Sequence, residues 1–202
     1  MPDDSNIFEE IKSLELNDQE QALIEKIASE LHESWRNTYS GGTTRWKLLV
    51  RITKGDGTRE MWINGDENGN IPDREKQRLE KDGSQIVTPP EMRQDILKTP
   101  FGRLHEHWRK ENLAAAEFAI KVVRYIQKQN IDPNSLQAYN LAGSLIHAAW
   151  LKRNQWSKGN DLDRPFAELS EAERRKDLYQ YELALKALES LEENSGKQSL
   201  ES

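Results

Sequence analysis

An internal repeat constrains the fold of this 202-residue chain more than any other feature of its sequence. The segment Pro100–Leu104 reads Pro-Phe-Gly-Arg-Leu, and Pro165–Leu169 reads Pro-Phe-Ala-Glu-Leu, at an offset of 65 residues. The match continues without a gap into a stripe of apolar residues at helical spacing in both copies. Two amphipathic helices can resemble each other by chance, but the preceding Pro-Phe-x-x-Leu makes a duplication the better explanation.

Each copy also follows a helix that ends in His-x-x-Trp, with His32 and Trp35 in the first copy and His147 and Trp150 in the second. The loop between this motif and the proline is about 50 residues longer in the first copy. Residues 45–64 of that loop predict a β-hairpin, because two β-rich runs flank an Asp-Gly turn.

The predicted fold is therefore mainly α, with two pseudo-symmetric helical units and a β-hairpin inserted in the first. Capping boxes at Asn17-x-x-Glu20 and Ser170-x-x-Glu173 mark two helix starts, and Thr88-Pro89-Pro90-Glu91 predicts another. The polar ends show no sustained apolar period and are expected to be flexible. The predicted boundaries are a flexible N-terminus at 1–16, a first unit at 17–130, a second unit at 131–193 and a flexible C-terminus at 194–202.

The composition excludes several classes of site. The chain has no cysteine, which excludes disulfides, thiolate catalysis and cysteine-ligated zinc, and it has only four histidines. A net charge of −6 argues against DNA or RNA as a partner. No apolar run approaches the ~18 residues of a membrane span, and no signal-peptide core follows Met1. We therefore expect a cytoplasmic protein that binds neither nucleic acid nor a membrane.

The second copy carries a wider pattern of residues over about 141–190. The pattern consists of His147-x-x-Trp150, Lys158-Gly159, Pro165, and then Glu173-Arg174 with Asp177. It resembles the ryanodine-receptor domain, also called the RyR repeat, although the aromatic-glycine pair that follows the glycine in that family is missing. The first copy resembles a divergent RyR unit, and its Arg45-Trp46-Lys47 and residues 111–115 resemble a motif found beside bacterial RyR domains. In that motif Asn112 replaces an acidic residue.

The resemblance implies a small helical domain used in tandem, without catalytic activity and without a cofactor. In the giant channel these repeats are peripheral regulatory modules, and in bacteria and phages they occur as short cytoplasmic proteins. Several have been proposed to sense nucleotide-derived signals.

The repeated His-x-x-Trp motifs allow two interpretations. Three residues apart on a helix, each histidine and tryptophan share a face, so they can serve as buried core partners. Alternatively, the two tryptophan faces stack a base and the two imidazoles donate to it. A second candidate group is basic: Arg36, Arg45 and Lys47 lie around the start of the hairpin, where Trp46 could stack above a phosphate clamp. The alternative is that these basic residues lie on a solvent-exposed strand face and bind no ligand.

Other chemistry receives less support from the sequence. Asp66-x-Asn68-Gly69-Asn70 resembles a calcium loop but lacks the sixth-position glycine and the twelfth-position carboxylate. His105 and His107 lie about 200° apart on a helix, which is wrong for one metal ion. We therefore expect no metal site and no enzyme activity, although a hydrolase that uses a carboxylate pair is a third hypothesis.

The expected function is a binding module for a small anionic, nucleotide-like ligand that lies between the two units. Such a module would sense or sequester a signal in bacterial or phage defence. The alternative is a protein–protein interaction or assembly module without a small ligand, acting through a protein partner or a homo-oligomer. The candidate ligand-binding residues are His32, Trp35, Arg36, Arg45, Trp46, Lys47, Asn112, His147, Trp150 and Asp177.

Overall fold

The computed structural model describes residues 4–55, 57–87, 92–154, 157–159 and 161–200. The chain forms two compact units. The first unit combines Met1–Leu31 with Lys110–Ser202, and the second is the continuous segment His32–Arg109. This division differs from the sequence-based division at residues 17–130 and 131–193, because residues 110–130 group with the later helices.

Six α-helices are present among the described residues. Asn17 and Glu20 form the predicted capping box, in which each backbone N–H donates to the other residue's side chain at 2.9 Å. Tyr181 is fully buried, and its hydroxyl donates to the carbonyl of Pro133 at 2.8 Å. The helices are α1 (Asp4–Ser13), α2 (Asp18–Thr38), α3 (Asp73–Lys81), α4 (Glu106–Lys128), α5 (Leu136–Arg153) and α6 (Glu171–Leu200).

Helix α1 lies where the sequence predicted a flexible segment. Its Phe8 and Ile11 are buried. The Phe8 ring contacts the Phe118 ring, with centroids 5.1 Å apart, and the ammonium of Lys152 lies 3.3 Å from its centroid. Ile7, Phe8 and Ile11 are spaced as on one helix face, but three apolar residues in a ten-residue polar segment do not sustain a period, so the sequence did not predict this docked helix.

The structural unit His32–Arg109 contains a four-stranded antiparallel sheet built around one long strand. Strand β1 (Trp46–Lys54) pairs along its whole length with β2 (Gly57–Gly65), as the hairpin prediction required. Strands β3 (Ser84–Ile86) and β4 (Met92–Asp95) pair with opposite ends of β1. The core of this unit lies between one face of the sheet, with the buried residues Leu48, Val50, Ile52 and Ile63, and Leu79 of α3.

The predicted fold class is wrong in two respects. The fold is mixed α and β rather than all-α, because the structure has a four-stranded sheet where a hairpin alone was expected. It is also not a pair of pseudo-symmetric units, because most of the helical part of both copies falls in one compact unit, whereas the other unit, His32–Arg109, contains the whole sheet. Strands β3 and β4 have three and four residues, too few for a two-residue period to be recognised.

Two further sequence expectations are limited by the described ranges. The expected helix start at 88–91 lies outside the described residues, but residues 92–95, into which that helix would continue, form strand β4 instead. Within the ranges that are described, every helix is too short or too polar to cross a membrane.

Candidate functional site

The first His-x-x-Trp motif lies near the end of α2 and is anchored to the segment before Pro100. His32 is buried, and its Nε2 lies 2.9 Å from the carbonyl oxygen of Thr99. Since a carbonyl oxygen only accepts, Nε2 carries the hydrogen and donates it. The imidazole stacks on Trp35, with centroids 5.7 Å apart. Burial lowers the pKa of His32, so the ring is neutral at neutral pH.

The second motif lies on α5 and has a charged partner. Nε2 of His147 donates to the carbonyl oxygens of Arg164, at 3.0 Å, and Leu162, at 3.2 Å. Its Nδ1 lies 3.1 Å from Oδ2 of the buried Asp177, so one proton lies between these two atoms. That hydrogen bond raises the pKa of His147, and burial raises the pKa of Asp177. Both directions mean that the pair keeps its shared proton to higher pH than an isolated histidine.

The two motifs share one local structure. In both, Nε2 donates to the residue directly before the proline of Pro-Phe-x-x-Leu. Phe101 and Phe166 are both buried, and each begins a one-turn 3₁₀ helix, at Phe101–Arg103 and Phe166–Glu168. The repeated sequence therefore specifies a repeated local structure that gives both histidines partners within the fold.

Three acceptors surround the guanidinium of Arg36. Its Nε donates to the carbonyl of Leu97 at 2.7 Å, its Nη2 donates to the carbonyl of Lys98 at 3.3 Å, and its Nη1 pairs with Glu33. The other carboxylate oxygen of Glu33 accepts from the backbone N–H of Phe101 at 3.2 Å. Arg36 thus links α2 to the turn that leads into Phe101, with three of its five N–H donors engaged inside the fold.

A cleft of about 630 Å³ opens beside the start of β1. Arg45 and Trp46 line it together with Tyr39, which follows α2. The Arg45 guanidinium lies over the Tyr39 ring, 5.2 Å from its centroid, and Nη1 donates to the Tyr39 hydroxyl at 2.8 Å. The Tyr39 ring in turn packs against Trp35, with centroids 5.3 Å apart. The cleft therefore combines a cation with aromatic surface.

Asp95 fixes the backbone beside this cleft. Its Oδ1 accepts from the backbone N–H groups of Arg45 at 2.9 Å, Leu97 at 3.1 Å and Lys98 at 3.4 Å. The side chain is 6% exposed, so these hydrogen bonds are shielded from water. The chain direction at Arg45 is consequently set by a buried carboxylate.

A second wall of the cleft supplies acceptors. It comes from the end of β2 and the turn that follows, and its residues are Asn64, Gly65, Asp66, Glu67 and Asn68. The Asp66 carboxylate accepts from the backbone N–H groups of Asn68, at 2.9 Å, and Asn70, at 2.8 Å, and from the Asn70 amide at 2.7 Å. The hydrogen bond from the Asn70 side chain does most to lower the pKa of Asp66. In the structure this calcium-loop-like segment is an Asx turn whose oxygens face N–H donors.

Lys47 points its ammonium at an aromatic ring. Nζ donates to Oδ1 of Asn64 at 2.7 Å and lies 5.3 Å from the centroid of Trp108. Burial lowers the pKa of Lys47 to about 8, and the charge of Arg45 acts in the same direction. This amine is therefore partly neutral at slightly alkaline pH.

Three further aromatic side chains, which the sequence did not single out as ligands, gather with Trp108. The Trp62 ring of β2 has centroid distances of 4.9 Å to His105, 5.9 Å to Trp108 and 6.4 Å to His107. One signal could have found them, since His105 and Trp108 have the spacing of the two His-x-x-Trp motifs.

The other predicted residues belong to the first unit. Asn112 is half-buried on α4, His147 and Asp177 form the pair described above, and the Trp150 ring stacks on the His147 imidazole with centroids 6.0 Å apart. The ten predicted residues thus divide between the two units, with six of them in His32–Arg109. Among the described residues, no group of three or more His, Asp or Glu side chains is arranged to hold a metal ion.

Comparison of the chain with protein-family models, curated proteins and solved structures finds no match in any of the three. The resemblance to the RyR domain therefore stays a prediction.

Proposed function

We propose that this chain is a non-catalytic binding protein for a small anionic ligand of the nucleotide class, and that the ligand occupies the cleft beside β1. One observation carries the proposal. A single cleft is lined by Arg45, Tyr39 and Trp46, and the Arg45 guanidinium lies against the Tyr39 ring. Arginine matches phosphate oxygens through paired N–H groups, and aromatic rings stack on bases.

The size of the cleft supports a small-molecule ligand. Its volume of about 630 Å³ lies within the range of roughly 300–1,000 Å³ that is usual for such sites. A second cleft, of about 560 Å³, lies in the first unit between α1, α2 and α4. Its lining includes Lys12 and Lys121 but no aromatic ring, so it offers charge without a stacking surface.

The acceptors of the second wall favour a nucleotide over a simple inorganic anion. A nucleotide carries sugar hydroxyls and base amino groups as well as phosphate, and these groups are hydrogen-bond donors. Asn64, Glu67 and Asn68 can accept from such donors, whereas a phosphate or sulfate ion would gain little from them. The phosphate is assigned to Arg45 and the ring to Trp46 or Tyr39.

Preorganisation also supports binding at this cleft. Asp95 holds the backbone of Arg45, and the Tyr39 hydroxyl holds one end of its guanidinium. A ligand that meets a cation already held in place loses less affinity to side-chain ordering. The resemblance to RyR domains points in the same direction, and in a bacterial or phage setting such a protein would sense or sequester a nucleotide signal.

A pair of matched variants tests the proposal. Arg45→Gln removes the cleft cation, and Arg59→Gln makes the same charge change at an exposed position of β2 that does not line the cleft. Tryptophan fluorescence and melting temperature are measured with a panel of linear and cyclic nucleotides at up to millimolar concentration. We expect one or more to bind wild type and Arg59→Gln, and to bind Arg45→Gln more weakly by about 1.5–3 kcal/mol, the value of a hydrogen bond to a charged group.

Two results would count against the proposal. If no nucleotide shifts the emission or the melting temperature of wild type, the protein-partner alternative takes its place. If both variants weaken binding equally, the effect is one of net charge, and the ligand lies elsewhere.

A further inference from the structure

We infer that Lys47 is a nucleophilic amine, and a modification site for small acyl donors of the acyl-phosphate class. This inference does not depend on the proposed ligand, because it rests on the surroundings of one side chain. Those surroundings are the Trp108 ring, the Asn64 amide and the charged groups Arg45, Glu75 and Arg78.

The two partners of Lys47 Nζ are both neutral. Its hydrogen-bond acceptor is Oδ1 of Asn64, at 2.7 Å, which is a neutral amide oxygen. Its other neighbour is the face of Trp108, whose centroid lies 5.3 Å away. A ring face attracts a cation, but it replaces water more than it compensates for the loss of water. Among the described residues, Nζ forms no salt bridge with a carboxylate.

Glu75 does not form a salt bridge with Nζ of Lys47, because its carboxylate has other partners. The Glu75 carboxylate is buried, and its Oε1 accepts from Nε of Arg78 at 3.0 Å and also from Nη2 of the same guanidinium. Its Oε2 accepts from the Asn64 amide at 2.9 Å. Both oxygens are therefore engaged, and Asn64 stands between the carboxylate and the amine as a neutral relay.

Charged residues on β1 and α3 act on Nζ of Lys47. Arg45 from the same strand and Arg78 from α3 oppose the ammonium form, and Glu75 from α3 favours it. Burial adds the largest effect, and together these lower the pKa of Lys47 to about 8. At pH 8 about half of this amine is the free base, compared with about 0.4% of a lysine at the ordinary pKa of 10.4.

The reaction follows from a free amine that lies in the positive field of Arg45 and Arg78. The Nζ lone pair attacks the carbonyl carbon of the acyl phosphate and forms the N–C bond. The bond from that carbon to the phosphate oxygen breaks, its electron pair leaves with the phosphate, and the proton lost from nitrogen passes to phosphate or water. Arg45 and Arg78 favour an anionic reagent and its phosphate leaving group. The product is an amide at Nζ, and one positive charge is lost.

Residue-resolved acetylation tests the inference on the intact chain. The protein is exposed briefly to acetyl phosphate at pH values from 6 to 10, digested, and quantified at each lysine by mass spectrometry. Exposed Lys98 in the same digest serves as the internal reference. We expect the Lys47 rate to reach half its maximum near pH 8, and to exceed the Lys98 rate at pH 8 by about tenfold or more, given the free-base fractions above.

Two variants test whether the charges next to Nζ, rather than its exposure to solvent, set the pH midpoint of acetylation at Lys47. Asn64→Asp places a carboxylate against Nζ and should move the Lys47 midpoint upward by about one pH unit or more. Gln85→Glu adds the same negative charge at an exposed position of β3 that does not line the cleft, and should leave the midpoint in place. The inference is overturned if Lys47 follows the Lys98 profile, if Lys47 stays unmodified at pH 8–9, or if the two variants behave alike. The wild-type profile decides even if a variant folds poorly.

Discussion

The contact between Gly143 and Phe166 gives the sharpest prediction about what holds the second His-x-x-Trp motif in place. Gly143 is buried in the middle of α5, one turn before His147. A Cβ atom at Gly143 would lie 2.2 Å from Cζ of Phe166 and 2.6 Å from each Cε atom. Phe166 is itself 7% exposed and lies beside the carbonyl that binds His147, so the ring cannot move into solvent without disturbing this anchor.

Gly143→Ala therefore sets two effects against each other. Alanine favours the helix by about 1 kcal/mol over glycine. Overpacking a rigid core costs about 1–3 kcal/mol, and a 2.2 Å approach belongs at the upper end of that range. We expect a net loss of about 1–2 kcal/mol in the free energy of unfolding, since the steric cost exceeds the gain in helix propensity.

A double-mutant cycle isolates this contact. Phe166→Leu removes the ring edge that meets the new methyl group, so Gly143→Ala should become neutral or stabilising in that background. The coupling energy should be about 1–3 kcal/mol, measured by urea unfolding followed by circular dichroism. If Gly143→Ala stabilises the wild-type chain, or if it has the same effect in both backgrounds, the Phe166 ring does not require glycine at this position.

Two further outcomes follow from the buried groups. The pKa of His147 is higher in the folded chain than in the unfolded one, so the stability that its pair with Asp177 adds is complete below a pH of about 6.5 and is lost as the pH rises through the folded value. Urea unfolding over that window should show the difference between wild type and Asp177→Asn shrinking as the pH rises, and a constant difference would contradict it. Asp95→Ala should cost about 2 kcal/mol or more in unfolding free energy, because three backbone N–H groups lose a charged acceptor. A loss below about 0.5 kcal/mol, typical of a surface change, would show that water replaces the carboxylate.

The parts of the fold that the sequence predicts are those that depend on local pattern. The capping box at Asn17 and Glu20 is confirmed by both of its hydrogen bonds, because all of its atoms lie within one turn. The hairpin of β1 and β2 is confirmed, since its turn and its alternation lie in one continuous segment. Strands β3 and β4 were missed because each is stabilised by pairing with β1 rather than by its own residues.

The candidate site shows the same limit. The sequence singled out Arg36, Arg45 and Lys47 as equivalent cations, yet their surroundings differ. Two of the three acceptors of Arg36, the carbonyls of Leu97 and Lys98, lie 61 and 62 residues away along the chain. No pattern near Arg36 reports such distant partners. Arg45 and Trp46 are adjacent in the sequence and line the same cleft, and the stacking of Trp46 on a bound ligand stays a prediction.

Small molecules that remain bound during purification show whether Arg45 and the cleft beside β1 hold a phosphate-bearing ligand. Wild type, Arg45→Gln and Arg59→Gln are purified from the cells in which the chain is naturally made, heated to release bound compounds, and compared by mass spectrometry. We expect wild type and Arg59→Gln to release the same phosphate-bearing ring compound. Its amount should fall at least about tenfold in Arg45→Gln, which corresponds to a loss of about 1.4 kcal/mol in binding free energy. A phosphate-free compound, the same amount from all three proteins, or no compound enriched over a mock purification would contradict it.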